Sequence, residues 1–199
     1  MLAFAAHLAL PLPPNPRRGK GWFGTAMERL LGASAASAPQ PDFANIGVEM
    51  KTLPLAGNGR PKESTHVCVV QDAGRIGRRW RDSLVYQKLK RVLFVPYEAA
   101  ADVCFADRRI GSAFLWSPTA TDEAQLQLDW EEHSELICLG QWQDIDARDG
   151  VYLQIRPKAY HARENQKVRD HTGELTATLP RGFYLRAVFT QQILRETGS

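Results

Sequence analysis

Cysteine is scarce in this chain of 199 residues, and the three present, Cys68, Cys104 and Cys138, are odd in number and show no Cys-x-x-Cys or Cys/His ligand spacing. A disulfide framework and a cysteine-built metal site are thereby excluded. The three read as small core residues of a protein in a reducing cytosol, so a cytoplasmic location is expected. No apolar run approaches the length of a membrane span, and no membrane association is expected. The apolar opening Met1–Leu12 lacks a basic flank and a small-residue cleavage site, contains His7 and soon meets Pro11, Pro13, Pro14 and Pro16. It reads as a short packed helix or arm, not as a signal peptide. Internal repeats are absent, as is low-complexity sequence beyond those prolines. The length suits one domain, or one domain with two lobes, and supports a core without disulfides.

Charge is present but unevenly placed. The net charge of +3 conceals a basic stretch, Arg75, Arg78, Arg79, Arg81, Lys88, Lys90 and Arg91, opposed only by Asp82, and an acidic one from Asp122 to Asp149 opposed only by Arg148. Basic residues resume at Arg156, Lys158, Arg163, Lys167 and Arg169, and again at Arg181 and Arg186. Two separated basic segments suit the flanks of a polyanion such as DNA, although each alone also suits a solvated loop.

Hydrophobic periodicity predicts a helix over Gly21–Leu31 ended by Gly32, with Glu28 at the edge of its buried face. A strand is predicted over Ile46–Leu53, with Ile46, Val48 and Met50 facing one way and Gly47, Glu49 and Lys51 the other. The turn Gly57–Pro61 and the β-branched run Thr65–Val70 suggest that these two strands pair as a hairpin. A short helix over Ser83–Leu89, strands over Arg91–Tyr97 and Arg109–Trp116, and a long helix over Thr121–Leu139 follow. In that helix Leu126, Trp130, His133 and Ile137 form one stripe and most acids lie elsewhere. A strand over Val151–Arg156, a long loop over Tyr160–Gly173, a turn at Leu179–Tyr184 and a final helix burying Leu185, Val188, Phe189 and Ile193 complete the expected order.

The chemistry concentrates in Pro41–Thr52. Asp42 lies just upstream of a strand whose polar face carries Glu49 and Lys51, so two carboxylates and an ammonium converge. Hard oxygen ligands of this kind hold Mg²⁺, and a nearby lysine orients water or steadies charge developing on a phosphate. A surface strand with one ion pair has the same local pattern.

The wider wording narrows the choice. Lys20-Gly21-Trp22, Leu31-Gly32-Ala33-Ser34-Ala35, Asp42-Phe43-Ala44, Gly47-Val48-Glu49-Met50-Lys51-Thr52, Lys88-Leu89-Lys90-Arg91-Val92-Leu93, Leu115-Trp116-Ser117-Pro118, Leu153-Gln154-Ile155-Arg156-Pro157-Lys158 and Leu179-Pro180-Arg181-Gly182-Phe183-Tyr184-Leu185 closely resemble, in collinear order, the MutH family of mismatch-repair endonucleases and their GATC-cutting restriction relatives. The resemblance implies an α/β restriction-endonuclease-like fold, with a mixed central sheet flanked by helices and two lobes around a DNA cleft. It implies one endonuclease domain over residues 1–199, with a catalytic half near 1–105 and a scaffold and DNA-recognition half near 106–199.

By residue-to-residue matching, the resemblance places metal ligands on Asp42 and Glu49 and further catalytic roles on Lys51, Lys88 and Glu28. It places DNA contacts on Lys20 and Arg181, GATC reading on Arg156-Pro157-Lys158 and adenine-methyl sensing on Tyr184. The implied activity is Mg²⁺-dependent nicking of the unmethylated strand at hemimethylated GATC. The implied partners are double-stranded DNA, the activator MutL and, indirectly, MutS, with the enzyme itself a monomer. A GATC restriction enzyme that cuts both strands and a catalytically idle GATC-binding module are the alternatives. The chain departs from the family in a short, proline-rich stretch before Gly21 and in an arginine-rich segment from Gln71 to Arg81.

Overall fold

The computed structural model describes residues 1–13, 21–33, 39–77, 79–158 and 166–197, so Lys20, Arg78 and Arg163 lie outside the described residues. Each helix forms where the sequence offers an apolar face and a defined end. Helix α1 covers Leu2–His7, and α2, Trp22–Leu31, buries Phe23, Ala26 and Met27. It stops where Gly32 adopts a φ of 73°, with the N–H groups of Gly32 and Ala33 donating back to the carbonyls of Arg29 and Glu28. Helix α3, Leu84–Leu89, is capped by Ser83 Oγ, which accepts from the Tyr86 N–H at 3.1 Å. Helix α4, Ala120–Cys138, opens on a reciprocal box in which Asp122 N–H donates to Thr119 Oγ1 and Thr119 N–H to Asp122 Oδ2. Its Leu126, Trp130, His133 and Ile137 are all buried, as the periodicity requires.

Strands β1 (Glu49–Leu55), β3 (Val92–Glu98) and β4 (Phe114–Trp116) form a mixed sheet in the order β1-β3-β4. β1 runs parallel to β3 with Glu49 opposite Val92, and β3 antiparallel to β4 with Leu93 opposite Leu115. Strands β2 (Thr65–Val69), β5 (Leu153–Pro157) and β8 (Arg181–Leu185) form an antiparallel sheet in the order β2-β8-β5. Strands β6 (Gln166–Arg169) and β7 (Leu175–Thr178) form a separate hairpin, and α5, Ala187–Thr197, ends the described chain.

Several local expectations are corrected. The turn at Gly57–Pro61 exists, with Leu55 bridging Pro61, but β1 and β2 do not form a hairpin: β1 pairs in parallel with β3, while β2 pairs with β8. A parallel neighbour is reached only by a long crossover connection, which local turn signals do not announce. Part of the segment expected as a loop from Tyr160 to Gly173 is β6, and the segment expected as a turn at Leu179–Tyr184 contains most of β8, the middle strand of its sheet. The strand expected over Arg109–Trp116 is reduced to β4, with Ile110 joined to Tyr97 by a single bridge. Leu185 belongs to β8, and Val188 is 71% exposed because it lies off the stripe formed by Phe189 and Ile193. Cys68 is buried, but Cys104 and Cys138 are exposed.

The chain divides into two units. The first comprises Met1–Glu63, Arg91–Ser117 and Gln191–Ser199. In it α2 packs on the mixed sheet through Phe23, Met27, Met50, Val95 and Tyr97, with Phe4, Phe43 and Leu93 at the margin. The second comprises Ser64–Lys90 and Pro118–Thr190, and in it α4 lies against β5. Not all the acids of α4 face water: buried Asp129 accepts from the N–H groups of Val151, Tyr152 and Leu153 at 3.0, 2.6 and 2.7 Å and from Gln125 Nε2 at 2.8 Å. That carboxylate fastens the helix to the start of β5. Gly150 beside it has a φ of 79°, and a Cβ there would collide with the Leu153 carbonyl.

Candidate active site

Asp42 and Glu49 meet because the chain reverses between them. Phe43 and Val48 exchange backbone hydrogen bonds at 2.9 and 3.3 Å, Ala44–Ile46 makes one 3₁₀ turn, and Gly47 takes a φ of 63° that disfavours any side chain. The reversal lays Asp42 beside the first residues of β1. Met50 N–H donates to Asp42 Oδ2 at 2.9 Å, and Asp42 N–H donates to Glu49 Oε2 at 3.2 Å. Lys51, two residues along the same strand face, donates from Nζ to Glu49 Oε1 at 2.5 Å.

This arrangement differs from the expected half-exposed strand. Glu49 is 1% and Asp42 9% exposed, whereas Ile46, expected on the face of Val48 and Met50, lies in the 3₁₀ turn at 68% exposure. A carboxylate as buried as Glu49 is tolerated only when paired and hydrogen-bonded, and Lys51 supplies the opposite charge from a side chain itself only 15% exposed. Asp42 Oδ1 accepts no hydrogen bond from the described residues. Asp42 and Glu49 thus bring two carboxylates together beside the Lys51 ammonium, oxygen donors of the kind a hard cation takes. Among the described residues no three His, Cys, Asp or Glu side chains group to hold a metal. The two carboxylate side chains of Asp42 and Glu49 are the residues that could hold a hard divalent ion, one that takes one or two carboxylates and completes its shell with water.

Asp42, Glu49 and Lys51 are thus brought together in the first unit. Glu28 is half-buried on α2, one turn beyond Gly24, where a methyl group would stand 3.8 Å from Thr52 Oγ1 of β1. Lys88 is half-buried in the last turn of α3, in the second unit.

The remaining described site residues sit on or beside the antiparallel sheet. Arg156 and Lys158 are exposed at the end of β5, where Lys158 N–H donates to the Pro180 carbonyl at 2.7 Å and Arg156 lies opposite Gly182. Tyr184 lies opposite both Gln154 and His66, and its ring meets that of His66 edge-on at 5.1 Å. Alternation along β8 puts Gly182 on the face of Tyr184 and Arg181 on the face of buried Phe183 and Leu185. Arg181 Nη1 accordingly donates to the Ile145 carbonyl at 3.1 Å, and burial pushes its guanidinium pKa down from the usual value. A methyl at Gly182 would stand 3.0 Å from the Tyr184 ring and 3.1 Å from that of His66, so glycine leaves room for both.

Sequence reasoning does not single out His66 and Gln154. Gln154 is buried and donates to Ser64 Oγ at 2.6 Å. The alternating buried pattern of Phe183 and Leu185 is the signal that could have placed them across from Tyr184.

A mixed α/β fold with acidic and basic groups clustered at the start of a sheet strand defines the class: a restriction-endonuclease-like DNA endonuclease, a hydrolase of phosphodiester bonds. The family model described as "DNA mismatch repair enzyme MutH" matches residues 31–129. The chain is 48% identical over 192 residues to the DNA mismatch repair protein MutH of Shewanella amazonensis, covering 96% of this chain and 86% of that one. It is 49% identical over 190 residues to the proteins of the same name from Salmonella paratyphi A and Escherichia coli K12, covering 96% of this chain and 82% and 83% of theirs. The chain belongs to the MutH family of DNA mismatch repair enzymes.

Proposed function

We propose that this endonuclease nicks the unmethylated strand of hemimethylated GATC sites in methyl-directed mismatch repair, using Mg²⁺ held by Asp42 and Glu49. The observation that carries the reading is the hydrogen-bonded set Asp42, Glu49 and Lys51. Family membership supports the role in mismatch repair. Bound Mg²⁺ supplies Lewis acidity toward the phosphate and lowers the pKa of water. Asp42 is held in place by the Met50 N–H, so its geometry is set by the backbone of β1. Lys51 orients Glu49 and places a fixed positive charge beside the phosphate, where negative charge grows in the transition state. Lys88 and Glu28 complete the catalytic set by their match to the family.

Arg156 and Lys158 read the GATC bases in the major groove, with guanine O6 and N7 as acceptors. Lys20 and Arg181 hold the DNA. Tyr184 senses the adenine N6 position, tolerating the amine and rejecting the methyl. The chain acts as a cytoplasmic monomer, one endonuclease domain over residues 1–199, activated by MutL, which MutS recruits to a mismatch. A duplex with each strand separately labelled tests the reading. The expected result is a Mg²⁺-dependent nick confined to the unmethylated strand of a hemimethylated GATC duplex and strengthened by MutL; cleavage of both strands without MutL would instead identify a restriction enzyme.

A further inference from the structure

The first unit carries an apolar groove beside the reversal that holds Asp42. Leu31, Phe43, Ile46, Val48, Leu93 and Leu115 line it, with Arg91 at its rim, around a volume of about 420 Å³. It arises from the length of α2. The helix covers the sheet at Met50 and Val95, but it ends at Gly32, leaving the cross-strand neighbours Leu93 and Leu115 beside a space that no described residue fills. Leu31, Ile46 and Leu115 are consequently 43%, 68% and 52% exposed. Large apolar side chains gathered around one concavity mark an interaction surface, and scattered exposure would not place three of them on the same groove.

Arg91 decides what the occupant must be. Among the described residues it is the only charged one lining the groove. It is exposed and stands immediately before β3, so an apolar occupant gains a charge partner if it carries one anionic group. The volume admits a few side chains and no folded domain. We propose that the groove binds a short segment of a partner protein in which apolar residues flank a carboxylate paired with Arg91. Phe43, Ile46 and Val48 belong to the reversal that holds Asp42 against Met50 and Glu49, so docking acts on the element that spaces the two carboxylates and changes the nicking rate. The rate effect rests on the nuclease function proposed above; the binding does not.

Fluorescence anisotropy tests the binding with labelled peptides that have Leu or Phe on both sides of a single Glu. Saturable binding to the full chain is expected, weakened about tenfold or more by Ile46→Asp and by Arg91→Glu. Both side chains are exposed, so these variants are expected to fold. Arg91→Glu should regain binding to the same peptides with Lys in place of Glu. Absence of peptide binding, equal binding by Ile46→Asp, failure of the charge swap, or preference for phosphatidylglycerol vesicles over peptides would each overturn the proposal. Saturating peptide should change the nicking rate several-fold, and an unchanged rate in an active, peptide-bound enzyme would overturn the coupling. Wild-type protein that binds peptide but never nicks DNA would count against the nuclease reading while leaving the docking site supported.

Discussion

Replacing Lys51 by Met removes a charge that compensates Glu49 and keeps most of the side-chain volume. Glu49 is 1% exposed and its Oε1 lies 2.5 Å from Lys51 Nζ, so the variant takes a charged partner from a buried carboxylate. Breaking a buried ion pair from one side costs about 3–5 kcal/mol. Lys51 is 15% accessible and Glu49 keeps the Asp42 N–H at 3.2 Å, so the loss should fall near the lower limit, about 3 kcal/mol. For a chain of this size each kcal/mol shifts Tm by roughly 2–4 °C, which predicts a fall of about 6–12 °C in EDTA. If Mg²⁺ binds as proposed, it should return much of it by taking over the neutralisation of Glu49; at a hundredfold excess over its Kd a ligand contributes about 2.7 kcal/mol. If Lys51 acts on the phosphate as proposed, nicking should not return with stability, and a loss of about 10²–10³ in rate is expected. The assay is thermal unfolding in EDTA and in Mg²⁺, run beside single-turnover nicking. A variant that melts with the wild type in EDTA would refute the dependence of Glu49 on Lys51.

Tyr184→Ser should retain nicking of hemimethylated GATC and gain nicking of the fully methylated duplex; continued refusal of methylated DNA by the folded variant would move methyl sensing elsewhere. Lys158→Ala should lose about 1–3 kcal/mol of preference for GATC over a one-base variant at the same salt, whereas unchanged preference would make Lys158 a phosphate contact. Burial pushes the His133 imidazole below its ordinary pKa, while its Nε2 faces the Leu153 carbonyl at 3.3 Å. The unfolded chain then binds the proton more readily, so this contribution is complete above the ordinary histidine value and is lost as pH falls toward the depressed one. Urea unfolding across that window should show a smaller acid loss in His133→Gln than in the wild type, and equal losses would contradict the burial argument.

The parts legible in the sequence are those where local pattern and tertiary environment agree. The stripe Leu126, Trp130, His133 and Ile137 needs one covered face and receives it, and Gly32 ends α2 as a left-handed residue should. The meeting of Asp42 with Glu49 is also legible, because it depends on a short reversal that Gly47 permits. The partner of β1 is not legible. Its neighbour β3 arrives in parallel after an excursion through another sheet, while Gly57–Pro61 gives a local turn signal that the structure honours without a hairpin. β8 is hidden by Pro180 and Gly182, which read as turn residues; Gly182 is instead small because two rings, Tyr184 and His66, crowd its face. Asp129 shows the corresponding failure for charge: an acid on a polar-looking helix reads as solvated, yet three backbone N–H groups hold it inside.

If Asp42 and Glu49 hold the ion on which DNA cleavage depends, as proposed, ion binding and cleavage must be lost together when Asp42 is removed. Calorimetric titration of Mg²⁺ into the wild type and into Asp42→Ala, paired with nicking and DNA-binding assays on the same preparations, measures both directly. Asp42→Ala should lose measurable Mg²⁺ binding and nicking together while still binding GATC duplex. An Asp42→Ala protein that binds Mg²⁺ as the wild type does, or that nicks normally, would contradict the proposal.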